Sequence, residues 1–196
     1  MNYDEVRRRA YKAKLEVSYV ALGTGFIHVP LTDTHSLRVW HPKLMGEVNS
    51  FGSIVAYAQT IQTDVLLGKI THSNIRVTED DCGNFRYYHR VEGSPFKSFD
   101  TNHRITAFSF AVVLNAGSSI STEGYEFHKS YATTLACTLV DVPDMCNVQV
   151  LAHDSQVITP DVTNVGQGLL GCYVYEALQE FQPEARARLN AIGMLK

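Results

Sequence analysis

The chain of 196 residues is 45% hydrophobic and 19% charged, with a formal net charge of −3. That balance excludes a disordered polypeptide, supplies apolar mass for a core without covalent staples, and leaves no global basic field to attract nucleic acid. No Pro, Ser or Gly run, repeat or block of like charge divides the chain, and no stretch approaches the roughly 20 apolar residues needed to cross a bilayer, so the expectation is one globular domain over residues 1–196, cytoplasmic and without membrane contact.

Asn2 followed by Glu5 reads as a capping box, and Tyr3, Val6, Ala10, Ala13 and Val17 then recur at helical spacing, which predicts a helix over residues 3 to 16. Its remaining positions carry Arg7, Arg8, Arg9, Lys12 and Lys14, with Tyr3 and Tyr11 available for stacking. Arg7, Arg8 and Lys12 are therefore candidate binding residues for nucleic acid or another acidic partner, although a solvated basic face explains the same letters. Val20 to Leu22, Phe26 to Leu31 and Ser36 to Trp40 read as short strands. Leu44, Val48, Phe51, Val55 and Ala58 have helical spacing within a segment also rich in strand formers, and the expectation is a helix from Pro42 to about Tyr57. Ile70 to Glu79 and Phe85 to Val91 flank the turn Asp80-Asp81-Cys82-Gly83-Asn84, a hairpin signal. Ile105 to Leu114 is apolar on both faces in its second half, as for a central, doubly covered strand.

Tyr125 to Asp141 reads as one alternating run: Tyr125, Phe127, Tyr131, Leu135, Cys137 and Leu139 fall on one face, Glu126, His128, Ser130, Thr134 and Thr138 on the other. Side chains of a strand point to opposite faces in turn, so the pattern predicts one long strand with a buried and a wetter face. Val148 to Ala152 and Gln156 to Thr159 follow as strands; Thr163 or Asn164 then caps a helix through about Phe181, and Pro183 opens a shorter one ending at Gly193. The fold class this implies is α+β, a predominantly antiparallel sheet with N-terminal and C-terminal helices packed against it.

The motifs are weak. Cys82, Cys137, Cys146 and Cys172 form no C-x-x-C pair, which removes the usual zinc and redox spacings. Gly166-Gln-Gly168-Leu-Leu-Gly171 matches a dinucleotide string, but no strand leads directly into it and close helix packing accounts for the glycines; a helix start at Asn164 leaves a phosphate site as a candidate. His128-Lys-Ser130 and His153-Asp-Ser155 resemble the paired H-x-S/T of two-histidine phosphoesterases. With Val142 to Cys146 as a hairpin turn, however, His153 pairs with Leu135 and lies about seven residues, roughly 24 Å, from His128. Glu126, His128 and Ser130 do share one strand face, with His103 and Thr106 on a neighbouring strand, a grouping suited to acid/base work or to a hydrogen-bonded polar face. His128, Glu126, Ser130 and His103 are the candidate catalytic residues. His35 and His41 have no third ligand at metal spacing, so no metal and no cofactor is expected.

With no complete triad, metal set or phosphate loop, the expected function is a non-enzymatic binding or assembly module. It self-associates or docks on a partner protein through its sheet edge and basic first helix. The alternative is a small phosphoesterase or nucleotide-processing enzyme using histidine chemistry, and a third reading is a cavity between the sheet and the helix after Asn164 for a small apolar ligand.

Overall fold

The computed structural model of the protein describes residues 1–20, 25–44, 54–90, 98–141, 148–153 and 167–194. Helix α1 (Tyr3–Tyr11) starts at the expected cap, the Asn2 side chain accepting from the Glu5 amide at 2.9 Å, and buries Tyr3, Val6 and Ala10. It ends well before residue 16. Ala13 adopts a left-handed backbone (φ 50°) and turns the chain, so that Leu15 and Val17 reach the core from outside the helix.

Strands β1 (Ser18–Val20), β2 (Phe26–Pro30), β3 (His35–Trp40), β4 (Ile54–Tyr57), β5 (Ile61–Leu67) and β6 (Lys69–Glu79) follow, then β7 (Phe85–Arg90), β8 (Ser98–Asn115), β9 (Ser119–Thr122), β10 (Phe127–Tyr131), β11 (Ala136–Asp141) and β12 (Val148–His153). Helices α2 (Gln167–Gln179) and α3 (Pro183–Met194) end the chain. The strands form an open sheet, ordered β1-β2-β3-β11-β5-β9, and a closed barrel, ordered β10-β4-β12-β7-β8-β6. Their pairing is antiparallel, so the chain is α+β with antiparallel sheets.

The open sheet is covered twice. Leu37, Val39, Cys137 and Leu139 pack with Val6 and Ala10 of α1, Val174 and Leu178 of α2, and Leu189 of α3. The alternate positions look the other way, where Trp40 and Ala136 meet Ile70 of β6, and Val140 meets Tyr57 of β4. A separate barrel cluster joins Ile54, Ala56, Ile75, Ile105 and Phe127. Each valine, leucine, isoleucine or phenylalanine among them contributes about 1.5–3 kcal/mol by leaving water.

Several further expectations are corrected. The alternating run is two strands in different layers: Tyr125 stands before β10 with a left-handed backbone (φ 63°), and residues 132–135 carry the chain from the barrel to the open sheet. Its polar face is not wet, since His128 and Thr138 are both buried, and no hairpin joins β11 to β12, which pair with β3 and β5 and with β4 and β7 respectively. In the expected helix 42–57, Pro42–Leu44 is a short 3-10 turn and Ile54–Tyr57 is strand, the β-forming composition having won; residues 45–53 lie outside the described residues. The signal at residues 80–84 is not a hairpin, because β6 and β7 take opposite edges of β8 with Glu79 and Phe85 both opposite Ile105. Finally, the second half of β8 is exposed rather than doubly covered. The Gln156–Thr159 strand and the cap at Thr163 or Asn164 lie outside the described residues.

Two glycines permit these crossings. The turn after β6 steps over β8, with the Asp80 amide bonded to the Arg104 carbonyl at 3.1 Å, and a Cβ on Gly83 would run into the Ile105 backbone. Gly68 (φ 69°) turns the chain from β5 into β6 against Leu135 and Ala136, where the second crossing between layers runs. Gly68→Ala and Gly83→Ala should each lower the unfolding free energy by about 2 kcal/mol or more in urea titrations; a loss below about 0.5 kcal/mol would contradict this packing.

Candidate functional site

The polar residues of β6 and β10 meet the open sheet in the layer between it and the barrel. Across the β6–β10 ladder, Ser130 stands opposite His72 and His128 opposite Asn74, which places all four on one face. The Ser130 hydroxyl donates to His72 Nδ1 at 2.9 Å, and His72 Nε2 donates to Asn74 Oδ1 at 2.8 Å. His128 Nδ1 donates to the Glu126 carbonyl at 3.1 Å, which leaves Nε2 as the lone-pair nitrogen. The His128 ring stacks between His72 and Tyr57, with centroids 5.6 and 5.7 Å away, and Arg38 Nη2 of β3 donates to the Tyr57 hydroxyl at 3.2 Å.

Electrostatics keep these imidazoles neutral. Burial pushes His128 down to about 3, and the charge of Arg38 adds to that, against the opposing hydrogen bond to Glu126. His72 is lowered by the same burial, with the Asn74 hydrogen bond and the Glu126 carboxylate opposing and Arg38 assisting. His28 of β2, directly across from Arg38, is lowered to about 4 by burial and then by that guanidinium. Ser130, His72 and Asn74 therefore have the order of nucleophile, base and orienting group, yet the base is enclosed and already satisfied at both nitrogens.

The site residues named from the sequence are only partly brought together. His128, Ser130 and Glu126 share the cluster, the last through its carbonyl. His103 falls in the irregular part of β8, where pairing with β7 skips residues 102 and 103, seven positions from the Phe110 that stands level with Asn74. It is roughly 24 Å along the strand from the cluster. His153 pairs with Phe85, one strand and three residues away from His128 across β4, roughly 14 Å. On α1, Arg8 and Lys12 are exposed, while Arg7 lies over the Tyr175 ring at 5.5 Å and lines, with Tyr3, Asp4, Gln179 and Arg186, an open cleft of about 330 Å³. Asn164 lies outside the described residues. Among the described residues no group of three or more His, Cys, Asp or Glu could hold a metal ion, and no helix is long and apolar enough to cross a membrane.

No protein-family model and no curated protein matches the chain. Among solved structures, Drosophila melanogaster CENP-C bound to CAL1 is similar at 10% identity and a TM-score of 0.34, over 65% of this chain and 76% of that one. An RmlC-like cupin from Shewanella frigidimarina is similar at 12% identity and 0.34, over 67% and 86%. Hydroxypropylphosphonic acid epoxidase from S. wedmorenis is similar at 12% and 0.33, over 64% and 55%. Likeness of this degree does not extend to a shared activity.

His72, Asn74, Tyr57 and Arg38 are the members that sequence reasoning missed. A signal for the first pair was present, since Ile70, His72 and Asn74 share one face of an expected strand; Arg38 and Tyr57 reach the cluster through tertiary packing alone. Because His128 and His28 are held neutral in the fold, the unfolded chain binds more protons than the native one between about pH 6.5 and the lowered values near 3 and 4. Stability should therefore fall as pH drops below about 6.5, and His128→Gln should flatten that slope in urea unfolding curves; an unchanged slope would refute a neutral, buried His128.

Proposed function

We propose that this protein is a non-enzymatic assembly module whose copies join through the outer half of β8. One observation carries the reading: Phe108, Phe110, Val112 and Val113 are 58%, 63%, 48% and 61% exposed, on a stretch that pairs with β6 on one edge and, past Ile105, with no strand on the other among the described residues. Lone edge strands are normally guarded by charge or proline. Here the sequence from Ile105 to Thr122 holds neither.

A second copy is the occupant that fits. Antiparallel pairing about a two-fold axis lays each β8 against itself, and with no charge along the segment the pairing meets no like-charge repulsion. At about 150–250 Å² for each phenylalanine, Phe108 and Phe110 of two copies offer on the order of 400–500 Å² of still exposed ring surface. The valines and the strand backbone carry the total toward the roughly 1,000 Å² of a specific interface.

Sedimentation equilibrium tests this: the wild type should be a dimer at micromolar concentration, and Phe110→Glu should be a monomer with an unchanged circular dichroism spectrum. A monomeric wild type overturns self-association, and capture of a different protein by this strand would replace the second copy as the occupant. The Ser130–His72–Asn74 chain favours a second reading, histidine acid/base chemistry on a phosphate ester. Turnover of a phosphate ester that Ser130→Ala abolishes at an unchanged melting temperature would put that reading first.

A further inference from the structure

We propose that the layer between the open sheet and the barrel binds a small oxyanion, a carboxylate or phosphate group, at Arg38. Among the described residues, three buried polar side-chain atoms have no hydrogen-bonding partner: Arg38 Nε, Trp40 Nε1 and Thr138 Oγ1. All three lie on one face of the open sheet. Arg38 and Thr138 are directly opposite each other across the β3–β11 ladder, and Trp40 follows two positions along β3. The Phe26 ring fixes two of them, with the Arg38 guanidinium 5.2 Å and the Trp40 ring 5.5 Å from its centroid.

Buried polar atoms are almost always paired, and each orphan forfeits its hydration for nothing in return. Three on one face of the sheet point to a shared partner that the described residues do not supply. The chemistry of the set specifies it: an indole N–H and a guanidinium N–H only donate, and a hydroxyl can donate, so the ligand presents acceptors. Tyr57 adds a fourth group, because its oxygen accepts from Arg38 Nη2 and its own proton is left to give.

Charge points the same way. Among the described residues Arg38 forms no ion pair with any carboxylate, and the rings it faces, His28, His72 and His128, are kept neutral. The guanidinium is therefore a positive charge with no carboxylate directly against it among the described residues, which an anion with two oxygens matches through its planar fork. Arg38, His28 and Phe26 are only partly buried and so stand on the side that a solute would approach, whereas Trp40 and Thr138 are 1% and 0% exposed.

Trp40 is the sole tryptophan of the chain, so its emission reports on the site directly. With the full chain at fixed ionic strength in chloride, inorganic phosphate and succinate are titrated separately, following Trp40 fluorescence and the melting temperature. At least one should shift the emission saturably and raise the melting temperature with concentration; which of the two does so identifies the anion class. Arg38→Met should remove the response, and Thr138→Val, which deletes an orphan hydroxyl at constant shape, should weaken binding about ten-fold while leaving the ligand-free melting temperature unchanged or higher. If Arg38→Met fails to fold, Thr138→Val decides. No saturable response to either anion, or equal responses in wild type and Thr138→Val, overturns the proposal and leaves an internal water as the partner of these atoms. The outcome is independent of whether β8 joins copies.

Discussion

Two helix-bearing ends and a barrel compete for the same open sheet, and both succeed: helices α1, α2 and α3 bury one face of β3 and β11, while β4 and β6 bury the other. Central strands covered on both faces withhold bulk water from the polar side chains they carry. β11 shows the consequence. Cys137 and Leu139 enter the helix-side core without difficulty, but Thr138 between them is held in a buried layer, where its hydroxyl has no hydrogen-bonding partner among the described residues. The same enclosure raises the Cys137 thiol far above its ordinary range and makes it a small hydrophobe rather than a nucleophile.

That buried layer also determines what the histidines do. A half-buried guanidinium and two stacked imidazoles could not all be charged at such separation, and the fold resolves the conflict by keeping Arg38 charged and the rings neutral. Neutral imidazole offers one donor and one acceptor. His72 uses both, linking β6 to β10 through Ser130 while holding Asn74 on its own strand. The cluster thus ties the barrel together at the place where it faces the open sheet, and its polarity is a consequence of position before it is a sign of chemistry.

Local features were legible in the sequence, and partners were not. The Asn2 cap, the strand character of Ile70 to Glu79 and the two C-terminal helices follow from capping and periodicity, which act over a few residues. The period-two alternation through Tyr125 to Asp141 is interrupted in the letters themselves, by Lys129 and Thr133 on the apolar face and Ala132 and Ala136 on the polar one, close to where residues 132–135 redirect the chain. An apolar strand such as Ile105 to Leu114 reads alike whether it lies at a sheet centre or along an open edge; only the neighbour decides. Of the candidate site, Glu126, His128 and Ser130 were visible as one strand face, whereas His72 joins them through Ser130, 58 positions away, and Arg38 through Tyr57, 19 positions away.

The turn that passes over Ile105 leaves β6 and β7 on either side of a strand that comes later in the chain. β6 finds its partners in β8 and β10, β7 in β8 and β12, and every one of them is translated afterwards. On the ribosome, then, two emerged segments must wait with bare backbone edges until β8 slots into the gap between them. Such a topology charges its cost to the nascent chain: maturation is slow, contact order is high, and aggregation competes during the interval before insertion.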